Sequence, residues 1–380
     1  MARCQKKSTG AMLLVGSPET CPDMRYVTAF WAADPIVFLR NGSESRLVVP
    51  NLEFGRATRE SSAKHVLTPE QLGLKGLRRR GLGEWALAVV EVAGVARVRV
   101  PSGFPLGVAR RLEQAGIRVV CARGEICPER AVKRADEIRR IRHAQQAAVI
   151  AMQGAVHLIG EGMPDSAGRL VRKGEVLTAE HVKLRIQSVL LEHGCFGRDT
   201  IVAGGEQAVD PHEQGHGPLR AYRPIVIDIF PQHMRTGYWG DLTRTVVWGT
   251  ASPEQRRMYL AVRAAQATAL ARIRPGVRCS TVHKAAAEEL ARRGFKTDVR
   301  GGRPAGFIHG TGHGVGLAIH EAPSVSMSNT RLRAGHVITV EPGLYYPGIG
   351  GMRIEDTVVV TRNGWQYLVP CEKRFEIGRT

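Results

Sequence analysis

An aspartate interrupts the apolar run Ile225-Val-Ile-Asp228-Ile-Phe. A carboxylate buried among β-branched side chains is costly unless a partner compensates it. Thirteen residues later Asp241 stands in Tyr238-Trp-Gly-Asp241-Leu-Thr-Arg-Thr-Val-Val. The stretch Pro231 to Gly237 between them reads as a turn. An odd separation is that of directly opposed residues across a hairpin with an even loop, so both carboxylates are expected on one face. Two carboxylates a few ångströms apart repel unless a cation lies between them. The plain alternative is a pair of partly solvated hairpin acids.

The second half of the chain adds to the set. Glu341 ends the apolar run His336-Val-Ile-Thr-Val, and Glu355 sits in Met352-Arg-Ile-Glu355-Asp-Thr-Val-Val-Val, with a glycine-rich turn between them. Just upstream, Phe307-Ile-His309-Gly-Thr-Gly-His313-Gly-Val-Gly-Leu-Ala-Ile-His320-Glu spaces three histidines by four and seven residues. The glycines preclude a stable helix, so this is not a helical i, i+4 zinc pair, and they suggest backbone packed closely under a site. A single histidine of this kind is more often a core or surface residue; three beside two buried acids point to a site. Four acids and one histidine form an oxygen-rich set suited to manganese, cobalt, iron or zinc rather than copper. Two ions bridged by carboxylates can hold a hydroxide at neutral pH and polarise a carbonyl. Nearby histidines would assist proton transfer or steady a tetrahedral oxyanion.

The elements that must position these residues divide in two. From about residue 11 to 128, short strand-like runs alternate with turns and helical stretches, an α/β pattern without a catalytic constellation. Met12-Leu-Leu-Val-Gly, Pro35-Ile-Val-Phe-Leu and Arg46-Leu-Val-Val-Pro read as strands, and Ala86 to Val100 and Ile117 to Cys121 as further buried strands. From Arg134 to Ile159 the apolar positions recur at helical spacing and open a second domain. A helix from Thr178 to His193 has Thr178 as N-cap and Gly194 past its end. Ser252-Pro253-Glu254 opens another long helix, and Ser280 to Arg293 forms a shorter one. Long helix, short helix and strands thus occur twice, and Leu190-Leu-Glu-His-Gly-Cys-Phe parallels Leu290-Ala-Arg-Arg-Gly-Phe. A pseudo-symmetric α+β domain with a site between its halves is expected.

At 380 residues, with 43% hydrophobic and 23% charged content, the chain is of ordinary globular composition. No apolar run approaches the roughly 20 residues of a membrane helix, and Ala11 to Val15 is too short for a signal peptide. The seven scattered cysteines form no C-x-x-C pair, which argues against a disulfide framework or a cysteine-built zinc site. A cytoplasmic protein is expected. The net charge of +19 raises nucleic-acid or anionic-surface binding. The basic residues are dispersed, however, and the densest run, Lys75 to Arg80, is short and lacks aromatic interleaving. An arginine-rich solvated surface without specific nucleic-acid binding is the reading taken.

The order Asp, Asp, His, Glu, Glu, with Gly-Asp-Leu-Thr-Arg-Thr, His-Gly-Thr-Gly-His-Gly-Val-Gly and Glu-Pro-Gly-Leu-Tyr, resembles the pita-bread metallopeptidases. This is the family of methionine aminopeptidase, aminopeptidase P and prolidase. The resemblance spans residues 128 to 375, and the segment before it, with Ala33-Asp-Pro-Ile-Val-Phe-Leu and Val48-Val-Pro, is similar to a creatinase-type N-terminal domain. It implies an α/β creatinase-like domain at 1–128 and an α+β pita-bread catalytic domain at 129–380. It also implies two divalent ions, manganese first, with cobalt, zinc or iron as alternatives. Asp228 would bind one ion, Asp241 and Glu355 would bridge both, and His313 and Glu341 would bind the second. His309 and His320 would line the substrate side, with His212 upstream, Arg353 behind the ligands and Tyr345 at the pocket edge. The expected substrates are small peptides with proline at the second position, and a homodimer is expected. Ser324 stands where some microbial prolidases carry an arginine for a dipeptide's carboxylate, leaving Arg353 or Arg303 as candidate cations. That favours a Xaa-Pro aminopeptidase, with a Xaa-Pro dipeptidase as the alternative. A creatinase-like amidinohydrolase and a non-catalytic binding module are more distant alternatives.

Overall fold

The structure is a computed structural model and describes residues 10–76 and 81–378. Residues 1–9 of the basic N-terminal stretch, Cys4 among them, and residues 77–80 of the Lys75–Arg80 run lie outside the described residues. The chain divides into two compact units, Met1–Pro128 and Glu129–Thr380.

The first unit is built on a six-stranded sheet in the order His65–Leu67, Glu44–Val48, Ile36–Asn41, Ala11–Gly16, Arg97–Val100, Arg118–Cys121. Its central strands are the apolar runs, and Leu13, Leu14, Ile36, Val37 and Leu39 are fully buried there. Two readings of the sequence are corrected. Ala86 to Val92 is not strand but part of the helix Leu82–Val92, and only Arg97–Val100 pairs into the sheet. Trp85 through Val90 are all buried, so this helix is apolar all round and its sequence lacks the 3.6-residue period. Arg118–Cys121 is the edge strand, with Arg118 and Cys121 exposed rather than buried.

Among the described residues of the second unit four α-helices form two packed pairs: Ala135–Gly160 with Ala179–Glu192, and Pro253–Leu270 with Cys279–Arg292. Thr178 and Ser252 cap their helices through side-chain oxygens that accept from the main chains of His181 and Gln255. Such caps contribute about 1 kcal/mol each. The first pair packs on a four-stranded sheet, Ile201–Gly204, Pro224–Ile229, Leu242–Trp248, Glu376–Ile377. The second packs on a five-stranded sheet, Glu321–Val325, Gly312–Gly314, Val337–Val340, Asp356–Val360, Trp365–Tyr367. Each half thus owns a helix pair, a sheet and a separate apolar cluster, which is the duplication expected from the sequence.

At the heart of each sheet lies an antiparallel pair. Pro224–Ile229 runs against Leu242–Trp248, and Val337–Val340 against Asp356–Val360. The first connection differs from the simple turn read in the sequence. Pro231–His233 is itself a strand, paired antiparallel with Cys195–Gly197, so the chain makes an excursion before it returns. In consequence Asp228 opposes Thr243 rather than Asp241, and Asp241 stands just outside the last pair, Ile229 with Leu242. The two acids are diagonal rather than directly opposed, but the period of two still places both on the same face.

Candidate metal centre

The site is assembled at the ends of these four strands. Asp228 lies inside its strand, Asp241 immediately before Leu242–Trp248, Glu341 immediately after Val337–Val340, and Glu355 immediately before Asp356–Val360. His313 comes from the short strand Gly312–Gly314. The flanking glycines explain that placement. A Cβ at Gly312 would overlap the Thr339 carbonyl, and one at Gly314 the Ala322 carbonyl, so only glycine lets this strand nest between its neighbours.

Asp241, His313 and Glu355 offer ligand atoms that all lie within 4.8 Å of one another, a grouping able to hold a metal ion. His313 Nε2 stands 3.5 Å from Asp241 Oδ2 and 3.2 Å from Glu341 Oε1, which brings in the fourth residue. Asp228 completes the acidic set: its carboxylate takes a 2.7 Å hydrogen bond from Arg353 Nη2 at Oδ2, while its buried Oδ1 has no protein partner. An orphaned buried carboxylate oxygen aimed among other acids is what a cation ligand looks like before the cation is added.

The electrostatics agree. Burial, and next the charge of Asp228, push the Asp241 carboxyl far above the usual carboxylate range. Burial and the Asp241 charge do the same to Glu355. Burial works against the Glu341 carboxylate, yet the hydrogen bond and charge of His313 draw it down to about 2. Burial likewise opposes the His313 imidazolium, yet Glu341 and Asp241 hold it up at about 9. Asp241 and Glu355 are thus left with too little positive charge beside them, a conflict that divalent cations relieve.

Hydrogen bonds from both halves orient the donors. Thr243 Oγ1 donates to Glu355 Oε2 at 2.8 Å, and Thr339 Oγ1 donates to Glu341 Oε1 at 3.1 Å while accepting from the His313 main chain at 3.0 Å. The Gln145 amide, on the long helix Ala135–Gly160, brackets the main chain of Asp241 at 2.8 and 2.9 Å. Arg353 Nη1 donates to the Tyr345 hydroxyl at 2.7 Å, and that hydroxyl lies 2.9 Å from His309 Nε2. Burial pushes the Tyr345 phenol up to about 12 and pushes His309 below the usual histidine range. His320 packs edge-on to His313, with ring centroids 4.2 Å apart, and burial followed by the His313 charge lowers it as well.

Comparison with known proteins identifies the group to which this geometry belongs. The family model described as metallopeptidase family M24 matches residues 139–362. This chain is a member of metallopeptidase family M24. It is 30% identical over 377 residues to a protein of Pyrococcus horikoshii named Xaa-Pro dipeptidase, covering 97% of this chain and 95% of that one. The crystal structure of the prolidase from Pyrococcus horikoshii is similar with a TM-score of 0.79 at 28% identity, over 96% of this chain and 94% of that one. The X-Pro aminopeptidase of Thermotoga maritima shares the fold, with a TM-score of 0.80 at 24% identity over 97% of each chain. The fold is the M24 pita-bread fold, with a creatinase-like α/β domain before it.

Within this M24 chain the remaining expected residues fall as follows. His212 is exposed and outside the ligand cluster, but its charge reaches both His309 and His320. Ser324 is exposed and its hydroxyl pairs with that of Ser326 at 2.9 Å. Arg353 is not available as a grip for a substrate carboxylate. Its donors reach Asp228, Tyr345, Thr243 Oγ1 at 3.3 Å and the Pro211 carbonyl at 3.3 Å. Arg303 is exposed on a separate hairpin with Asp298–Arg300. His233, on the excursion strand, is edge-on to His143, ring centroids 4.7 Å apart. Sequence reasoning missed Thr243, Thr339, Thr357, Gln145 and Arg244. The threonines carried a signal, because they are polar residues recurring inside apolar strands on the face of the acids. Gln145 carried none, since it is one polar residue of a long helix. No helix among the described residues is long and apolar enough to cross a membrane.

Proposed function

We propose that this chain is a dinuclear metallopeptidase that hydrolyses the bond between an N-terminal residue and proline, and that it acts as a Xaa-Pro dipeptidase. One observation carries the metal reading: four carboxylates and His313 converge at buried strand ends, with Asp228 Oδ1 unpartnered and Asp241 and Glu355 driven towards protonation. Asp228, Asp241, His313, Glu341 and Glu355 would hold two divalent ions. The oxygen-rich donor set with one imidazole suits manganese, and also cobalt, iron or zinc. When bound, the ions supply Lewis acidity towards a peptide carbonyl and make water more acidic.

The chain's own groups do the rest. Arg353 fixes the Asp228 carboxylate and the Tyr345 hydroxyl at once, so one rigid guanidinium aligns a ligand with the pocket edge. His309 and His320 are kept neutral by burial at physiological pH, the state in which an imidazole can either take up or deliver a proton. The Tyr345 hydroxyl, accepting from Arg353, is free to donate to His309 Nε2, and His309 Nδ1 faces the Gly310 carbonyl at 2.7 Å. That contact fixes a proton on Nδ1 and leaves Nε2 the basic nitrogen.

The specificity assignment moves away from the aminopeptidase favoured by Ser324. The full-length relative of Pyrococcus horikoshii is named a Xaa-Pro dipeptidase, while the likeness to the Thermotoga maritima aminopeptidase supports the fold alone. The test compares kcat/KM for Ala-Pro and Ala-Pro-Ala under equal manganese loading. A preference of tenfold or more for the dipeptide is expected. The reverse preference would return the aminopeptidase reading, and hydrolysis of neither by manganese-loaded protein would end both.

A further inference from the structure

The stretch Gly240-Asp-Leu-Thr-Arg-Thr supplies Asp241 to the cluster, yet its arginine touches no ligand carboxylate. Arg244 is nonetheless among the most enclosed charges in the chain, its side chain 3% exposed. All of its nitrogens are engaged. Nε donates to the Glu372 carbonyl at 2.8 Å, Nη1 to the carbonyls of Thr243 at 2.9 Å and Glu355 at 2.5 Å, and Nη2 to Asp356 Oδ1 at 2.7 Å and the Cys371 carbonyl at 2.8 Å. One nitrogen, Nη1, therefore ties the strand that follows Asp241 to the main chain of Glu355, which belongs to the other half of the unit.

Two threonines repeat the crossing. Thr243, two residues after Asp241, donates to the Glu355 carboxylate, and the Glu355 amide donates back to the Thr243 carbonyl at 3.1 Å. Thr357, two residues after Glu355, donates to the Asp241 carbonyl at 2.8 Å. Each half thus steadies the central acid of the other. Asp241 and Glu355 meet in the acidic cluster at the ends of strands from opposite halves, and these crossing bonds fix the two strand ends beside one another. A flat guanidinium with five donors in one plane can span these acceptors, whereas a lysine ammonium cannot.

We propose that Arg244 is a positioning residue. With Thr357 it clasps the two halves of the unit and holds Asp241 and Glu355 in the relative placement in which both would bind metal. The proposal rests on the metal reading above. The local charge balance supports folding of an arginine variant, because Asp356 keeps Lys373 Nζ at 2.7 Å and Gln266 Nε2 at 3.0 Å.

The test uses the full chain stripped of metal by a chelator and titrated calorimetrically with manganese, for the natural protein, Arg244→Lys and Thr357→Val. Melting curves and kcat and KM on Ala-Pro accompany each titration. Partners behind ligands typically set metal affinity within about 10–100-fold. Arg244→Lys is expected to bind manganese 10–100-fold more weakly in at least one site, with a lower kcat, a nearly unchanged KM, and partial recovery in excess manganese. Thr357→Val should shift affinity the same way by a smaller factor. If Arg244→Lys keeps the natural stoichiometry and affinity and only melts earlier, Arg244 is a structural residue and the proposal is overturned. Should Arg244→Lys not fold, Thr357→Val decides alone, and unchanged affinity there overturns the clasp. A natural chain that binds no manganese would refute the metal reading itself, which is a different result.

Discussion

Replacing Asp241 with asparagine should stabilise the metal-free protein while abolishing its response to manganese. The ligand atoms of Asp241, His313 and Glu355 lie within 4.8 Å of one another. Two unit charges at that separation repel by about 3.5 kcal/mol at an effective dielectric of ~20. Protons trapped among the acids, and the attraction of the His313 imidazolium 3.5 Å from Asp241, already offset part of this, so a gain of about 1–2 kcal/mol is expected from Asp241→Asn, or about 2–4 °C in Tm for a unit of this size. The pH dependence has a fixed sign. The Asp241 and Glu355 carboxyls titrate far higher in the folded chain than in the unfolded one. Their contribution to stability is complete below the unfolded carboxylate range and is lost as pH rises through the folded values. The advantage of Asp241→Asn in chelator must therefore grow with pH. Manganese at 100-fold over its Kd adds about 2.7 kcal/mol per site to the natural protein and little to the variant. The order of melting should invert: variant above natural protein in chelator, natural protein above variant in manganese. Differential scanning fluorimetry in both buffers checks it. A variant that melts below the natural protein in chelator, or gains as much from manganese, would refute the charge-conflict account of this site.

Other expectations follow from the same geometry. Metal binding must expel the proton that Glu341 and Asp241 hold on His313 up to about pH 9, so manganese affinity should rise with pH towards that value. Calorimetry in buffers of different ionisation enthalpy should show proton release, and pH-independent binding without release would contradict it. Tyr345→Phe removes the hydroxyl between Arg353 and His309; kcat should fall about tenfold with manganese content unchanged, and an unaltered kcat would show that the hydroxyl is a bystander. Gly312→Ala drives a methyl into the Thr339 carbonyl and should cost about 1–3 kcal/mol in urea unfolding while weakening manganese binding. Natural stability and affinity in that variant would mean the strand is not as tightly held as its packing requires.

What the sequence made legible was the part of the site that is chemically anomalous. An acid in Ile225-Val-Ile-Asp228 and three histidines among glycines are hard to reconcile with ordinary core or surface, so they stand out without coordinates. The caps were legible for a related reason: Thr178 and Ser252 act through main-chain atoms within one turn. The failures share the opposite property. The helix Leu82–Val92 was misread as strand because burial on all sides erases the period that separates helix from strand. The excursion at Pro231–His233 was misread as a turn because its partner, Cys195–Gly197, lies far back in the chain. Gln145 carried no signal, and Arg244 stood in a quoted motif without a role, because a polar residue acquires its meaning from what it meets: Gln145 meets Asp241 across 96 residues and Arg244 meets Glu355 across 111. The acids and histidine proposed as ligands announce themselves locally, but their spacing is set by contacts between two halves of a duplicated unit. That division has a physical reason. A carboxylate's affinity for a cation belongs to the group itself, whereas the distance between two carboxylates belongs to the fold.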